Sequence, residues 1–258
     1  MPNTRGRFVW IELVTTDTVV AKAFYASVVG WQTQDVATLS ASYTLLFANG
    51  VQVGGLMPLS PHARRSGARP AWLGFVQVED VDASVARVQR LGGRVQHAPV
   101  DIPGTGRYAV VSDPQGAILN LFKPLRPTSP PPAHLPGQVG WRELHTTDWP
   151  AAYDFYSGLL GWVKAEAHAM GSMGTYQVFS AGRESFGGMF NSPAARTQMP
   201  WWLYYFQVTD IDAAADRVTA GGGTLIHLPH QVPGGGWVVQ AADPQGAMFG
   251  LLGSRTGG

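Results

Sequence analysis

Glu143 and His145 stand two apart in the run VGWRELHTTD (139–148), and Glu12 holds the matching place in FVWIELVTTD (8–17). On a strand, residues two apart point to one face, so Glu143 and His145 are read as neighbours. A carboxylate beside an imidazole is half of a metal site, an acid–base pair, or polar lining at the mouth of a cleft. Alternation puts Trp10, Glu12 and Val14 on one face of the first strand, and Trp141, Glu143 and His145 on the matching face of the second. The opposite face, with Ile11, Leu13 and Leu144, is apolar and is expected to pack under helices, although Arg142 breaks the pattern. A glutamate beside an indole in low dielectric should hold its proton unusually tightly unless a cation or donor answers it. That suits a general acid or base, and Glu143, His145 and Glu12 are the candidate catalytic residues. The plainer alternative is a glutamate that braces a neighbouring loop. His145 faces Val14 across the repeat: it marks a diverged working site, or it is a solvent-facing or capping histidine. His227, His230 and His168 could join it as ligands, but no spacing requires this.

Substrate-binding candidates surround this face. Trp141 and Trp10 offer flat surfaces for stacking. Tyr176 and Tyr43 either donate a hydroxyl to a ligand or fill a strand face. Gln207 and Gln77 share the expected ligand-facing parity, whereas Trp72 and Trp202 have core parity. The loop PGTGR (103–107) matches PGGGW (233–237). Arg107 is therefore a candidate to pair with an anionic substrate or with Glu12, and Trp237 to cover the second site. Structurally, both residues flank a Gly-rich hairpin, which without a following helix and Lys-Ser/Thr is no phosphate cradle. The segments 58–70 and 191–200 are read as lids.

The elements that must position these residues come as a duplication. Glu12 and Glu143, Asp17 and Asp148, Phe24-Tyr25 and Phe155-Tyr156, and Gly30-Trp31 and Gly161-Trp162 all lie 131 apart. Trp72 and Trp202, Asp82 and Asp212, and the two DPQGA runs (113–117, 243–247) lie 130 apart. So many landmarks in register mean two homologous halves: a first domain over 1–125, a Pro-rich linker over 126–137, expected to be extended, and a second domain over 138–258. Each half divides again. A strand (8–15) leads to a helix capped by Asp17 that buries Ala21, Phe24, Tyr25 and Val28, and three strands follow. A strand at 72–78, a helix over about 83–91 stopped by Gly92-Gly93, and strands through 122 repeat the order. The second half does the same, with its last helix over 213–220. Four βαβββ modules result, an α+β fold.

Composition bounds the function. Hydrophobic residues are 45% and charged residues 14% of 258, with a formal net charge of +1, a globular profile with no basic block for nucleic acid. With 0 Cys, disulfides, thiolate zinc sites and a cysteine nucleophile are excluded. The first residues lack the apolar core of a signal peptide, and no run is long enough to span a bilayer. The expectation is a cytoplasmic protein, monomer or homodimer, with a small-molecule ligand and neither nucleic-acid nor membrane partners.

The runs TTD…AFY…GW and TTD…DFY…GW, the pair VEDVDA and VTDIDA, and the two DPQGA turns resemble the vicinal oxygen chelate superfamily, which holds glyoxalase I, extradiol dioxygenases and fosfomycin- and bleomycin-resistance proteins. Within it, the tandem pattern is similar to two-domain glyoxalase-like proteins. The resemblance implies that each domain curls its strands around an open cleft. It also implies where metal ligands would stand: Trp10 and Trp141, Leu73 and Leu203, Asn120 and Gly250, Gly55 and Gly188. None is a His or a carboxylate, and only Asn120 offers an oxygen. The implied metal site is thus expected to be missing and no cofactor is assigned, a divalent metal being disfavoured. An apolar slot is expected instead, opened by the glycines and lined by Trp10, Trp141 and Asn120. Two readings of different kind follow: metal-independent, Glu-mediated acid–base chemistry of lyase or isomerase type on a small, partly hydrophobic or aromatic metabolite, or binding and sequestration of a drug or toxin without catalysis. A metalloenzyme with displaced ligands is a third.

Overall fold

The computed structural model describes residues 5–37, 42–126, 135–182, 184–195 and 199–255. The linker expected over 126–137 lies largely outside the described residues, as does part of the segment 191–200 read as a lid.

Four βαβββ modules form. The first holds β1 (Phe8–Thr15), α1 (Thr18–Val28), β2 (Gln32–Ala37), β3 (Ser42–Ala48) and β4 (Val51–Pro58). A short helix, α2 (Pro61–Arg65), occupies the 58–70 segment, started by Ser60, whose hydroxyl accepts from the Ala63 N–H. The second module is β5 (Ala71–Gln77), α3 (Val81–Arg90), β6 (Arg94–Ile102), β7 (Gly106–Ser112) and β8 (Ile118–Pro124). The third is β9 (Val139–Thr146), α4 (Trp149–Leu160), β10 (Val163–Ala169), a 3-10 turn (Gly171–Met173), β11 (Thr175–Ala181) and β12 (Glu184–Asn191). The fourth is β13 (Trp201–Asp210), α5 (Ile211–Ala220), β14 (Thr224–Gln231), β15 (Trp237–Ala242) and β16 (Met248–Ser254). The strands make two mixed eight-stranded sheets, ordered β2-β3-β4-β1-β5-β8-β7-β6 and β10-β11-β12-β9-β13-β16-β15-β14.

Asp17 caps α1 as its sequence position requires: its carboxylate accepts from the Val19 and Val20 N–H groups, satisfying donors that the first turn leaves open. The buried stripe of α1 is Ala21, Phe24, Tyr25 and Val28. Helix α3 starts two residues before its expected position, because Asp80 rather than Asp82 caps it by accepting from the Ala83 N–H. Asp210 caps α5 in the same way through the Ala213 N–H. This leaves Asp82 and Asp212 free to bind arginines.

The chain divides into two compact units: residues 1–9, 73–130 and 142–202, and residues 10–72, 131–141 and 203–258. Each draws on both halves of the sequence. In the first unit α3 packs on α4, and Phe8 joins Trp162, Phe186 and Trp202 at 5.5–6.1 Å between ring centroids. In the second, α1 packs on α5, and Trp31 meets Phe206 at 4.8 Å and Tyr25 meets Phe249 at 5.4 Å. Offset and edge-on aromatic contacts of this kind add to the burial itself.

The repeated TTD and DPQGA motifs are one device used in each unit. In the first unit, Asp113 folds its own turn by accepting from the N–H groups of Gln115, Gly116 and Ala117. Its other oxygen accepts from the Tyr156 hydroxyl at 3.1 Å, which in turn accepts from the Trp202 indole N–H. The Gln115 amide reaches the TTD run: its oxygen accepts from the hydroxyls of Thr146 and Thr147 and from the N–H of Asp148, and its nitrogen donates to the Asp148 carbonyl. In the second unit Asp243 and Tyr25 are the matching pair, and Gln245 grips Thr15, Thr16 and Asp17.

Candidate functional site

The side chains best arranged for chemistry lie on β9 and just past the end of β12. Glu143, His145 and Ser192 are buried, at 8%, 5% and 6% exposure. The parallel pairing of β9 with β12 aligns Glu143 with Gly188 and His145 with Phe190, so strand alternation brings carboxylate and imidazole together. His145 Nε2 lies 2.8 Å from Glu143 Oε1, and its Nδ1 lies 3.2 Å from Ser192 Oγ. The imidazole is stacked on Trp201, with centroids 4.3 Å apart and planes 14° apart, and meets Phe190 edge-on at 4.9 Å. This is a Glu–His–Ser chain held between aromatic rings. His145 is neither solvent-facing nor a helix cap. Arg142, which broke the apolar pattern, is buried with its guanidinium 5.7 Å from the Phe8 ring centroid, a cation–π contact.

The first half builds a different cluster on β1 and β3. Tyr43 donates its hydroxyl proton to Glu12 Oε2 at 2.9 Å and accepts from Trp10 Nε1 at 3.1 Å. Burial pushes the Glu12 carboxyl from 4.5 up to about 7, and the Tyr43 hydrogen bond holds it below what burial alone would give. Burial and the neighbouring Glu12 raise the Tyr43 phenol as well.

The glycines do not open a slot. Gly55 lies beside Glu12, and Gly188 beside Glu143. A Cβ at Gly55 would stand 1.9 Å from the Tyr43 hydroxyl, and one at Gly188 would stand 2.1 Å from the Tyr176 ring. These positions are bare because tyrosines fill them, which corrects the sequence expectation of room for a ligand. The fourth module repeats the device: Gly250 pairs with Tyr205, whose hydroxyl accepts from Gln240 at 2.6 Å.

The remaining candidates are scattered. Arg107 forms a two-pronged pair with Asp82, through Nε at 2.8 Å and Nη2 at 2.9 Å, and a contact to Asp101 at 3.0 Å. The pairing with Glu12 or an anionic substrate is therefore replaced by a surface ion network. Trp237 carries the Arg255 guanidinium over its ring at 3.8 Å, while Arg255 grips Asp212 at 2.6 Å. The two halves capture equivalent aspartates with arginines from different places. The Gln207 amide lies against Gly140, and its backbone pairs with Gln138. Gln77 is half-buried, and its backbone pairs with Gly6 and Arg7. Trp141 and Tyr176 are half-buried, Tyr176 lying 5.8 Å from Phe190. Asn120 is buried, and its Nδ2 has no hydrogen-bond partner among the described residues. Sequence reasoning missed Ser192 and Trp201. NSP carries no motif, and Trp201 was overshadowed by its neighbour Trp202, which matches Trp72.

The residues at the superfamily's ligand positions do not make a metal's donor set. They are indoles, aliphatics, one amide and glycines already covered by tyrosine rings. Among the described residues no three His, Asp or Glu side chains come together as ligands, where a catalytic divalent ion wants about three.

Comparison with known proteins agrees with the fold. The Glyoxalase/Bleomycin resistance protein/Dioxygenase superfamily model matches residues 7–121 and again 138–251, and the chain belongs to that superfamily. "Putative glyoxylase CFP32" of Mycobacterium tuberculosis is 34% identical over 245 residues, covering 94% of this chain and 93% of that protein. The anthracycline biosynthesis protein DnrV of Streptomyces peucetius is 30% identical over 263 residues, covering 98% and 94%. Among solved structures, the Mn(II)-bound glyoxalase of Novosphingobium aromaticivorans superposes with a TM-score of 0.66 at 15% identity, covering 98% and 83%. A 4-hydroxymandelate synthase mutant from Streptomyces coelicolor gives 0.67 at 13%, covering 99% and 95%. At such identities these structures share the fold.

Proposed function

We propose that the protein is a metal-independent enzyme of this superfamily, with Glu143 and His145 as its acid–base pair and a planar, partly hydrophobic small molecule as its substrate. The observation that carries this reading is the 2.8 Å contact between buried Glu143 and a buried histidine stacked on half-buried Trp201. A carboxylate on one imidazole nitrogen fixes the tautomer and leaves the other nitrogen to take or give a proton. The donor set at the superfamily's metal positions supports chemistry without a metal. The relative named for anthracycline biosynthesis supports a polycyclic aromatic substrate. The reaction is then a proton-transfer step of lyase or isomerase type in a soluble, cytoplasmic protein.

The test is turnover on a panel of planar polycyclic quinones, followed by mass spectrometry. Glu143→Gln should lower turnover by about 10²–10⁴-fold while the Kd from tryptophan quenching stays within about 1 kcal/mol. Turnover equal to wild type would sink the reading. The Trp10–Tyr43–Glu12 cluster, which has no histidine, favours a second reading for the first half: a site that binds without converting. Compounds that quench fluorescence and are recovered unchanged by both wild type and variant would leave only that reading.

A further inference from the structure

We propose that Ser192 is a nucleophile activated by the Glu143–His145 pair, giving the second half of the chain a centre for acyl transfer or ester hydrolysis. This rests on the Glu143–His145 pair of the reading above and goes beyond its lyase or isomerase step: the proton moved here is that of the Ser192 hydroxyl.

The geometry is a directed chain. With Glu143 ionised, His145 donates its Nε2 proton to Oε1 at 2.8 Å, so Nδ1 carries a lone pair and faces Ser192 Oγ at 3.2 Å. A base held in one tautomer by a buried carboxylate, with a hydroxyl on its other nitrogen, is the arrangement that activates a serine. The first half shows that packing does not require it. Ser192 N–H bonds the Thr146 carbonyl at 2.9 Å, and Leu59 N–H bonds the Thr15 carbonyl at 2.7 Å. Leu59 is therefore the backbone counterpart of Ser192, as Val14 is of His145. One half fills the place with an apolar pair and the other with a connected polar chain, whose burial costs desolvation. Trp201 adds a second observation: its indole lies on the imidazole, and its Nε1–H is buried with no acceptor among the described residues. A dry, unused donor beside the base is what a developing oxyanion needs.

The step balances. Ser192 Oγ bonds to the carbonyl carbon of an ester while its proton passes to His145 Nδ1, and the carbonyl pair moves to oxygen. Collapse breaks the bond to the alcohol, which leaves with the proton from Nδ1. Water then attacks the acyl-serine in the same way, releasing the carboxylic acid and restoring Ser192.

A fluorophosphonate probe on the intact protein tests this without knowledge of the substrate. Wild type should form a phosphonyl adduct that peptide mass spectrometry places on Ser192. His145→Gln should slow labelling at least 100-fold, Glu143→Gln at least 10-fold, and Ser192→Ala should remove it, with near-ultraviolet circular dichroism verifying the fold of each. Ser192→Cys guards against a misfolded alanine variant, and its alkylation by iodoacetamide should slow when His145 is also replaced. An unmodified Ser192 peptide from wild type, under conditions that label a control serine hydrolase, overturns the proposal. If in addition Glu143→Gln loses turnover on the quinone panel and Ser192→Ala keeps it, the pair moves a substrate proton, and only the nucleophile falls.

Discussion

At the scale of single residues, the two halves put a glutamate in the same strand position and give it different partners. Glu143 meets an imidazole, whereas Glu12 meets a phenol that is already hydrogen-bonded by an indole. A phenol donates but carries no charge, so burial dominates and the Glu12 carboxyl is pushed up to about 7. A carboxyl raised from 4.5 to about 7 by folding means that the native state binds this proton more tightly than the unfolded chain. Its contribution to stability is complete below the unfolded value and is lost as pH rises through 7. At 1.36 kcal/mol per unit the loss reaches about 3 kcal/mol. Glu12→Gln should therefore gain about 2–3 kcal/mol relative to wild type between pH 4.5 and pH 8, read from urea melts at each pH. A constant difference across that range would place the Glu12 titration elsewhere. The raised carboxyl was foreseeable from Glu beside Trp on an alternating strand. Its tyrosine partner was not, because Tyr43 lies on another strand and its register with Gly55 is a tertiary fact.

At the scale of elements, the most conspicuous repeats turn out to hold the fold. DPQGA and TTD read as family marks, yet each glutamine bridges a turn to a strand end and each aspartate receives a buried tyrosine. Burial raises Asp113 and Asp243 above the usual carboxylate range, and the turn N–H groups work against that. Gln115→Ala removes one amide that answers five groups of the TTD run. Leaving partly buried donors unmet costs about 1–3 kcal/mol, so the variant should melt several degrees lower, with labelling of Ser192 unchanged below the transition. Helix and strand limits were legible here because caps and 3.6-residue stripes are local. The partners of Gln115 and Arg107 were not, since which aspartate caps α3, and so which one is left for the arginine, depends on a choice between Asp80 and Asp82 that the sequence leaves open. Ser192 was hidden for a related reason. It matters only because the β9–β12 pairing sets it against His145, and no local spacing encodes a parallel register.

At the scale of the whole molecule, the sequence divides into halves but each compact unit is built from parts of both. Without residues 1–126, the first unit loses Phe8 from its Trp162 and Trp202 cluster, and Tyr156 loses Asp113. The second unit loses Tyr25 and Trp31 from around Phe206 and Phe249. Removing even one buried aromatic costs about 3–5 kcal/mol, a large part of the stability of an ordinary domain. The fragment 138–258 made alone should therefore be unfolded, or should associate to cover its exposed aromatics, with dispersed proton shifts lost or a concentration-dependent elution. Mixing it with fragment 1–126 should restore the circular dichroism of the intact chain, the Ser192 labelling, and a single melting transition. A monomeric 138–258 that unfolds cooperatively and labels Ser192 unaided would mean that each half is a complete folding unit, and that the shared cores add little.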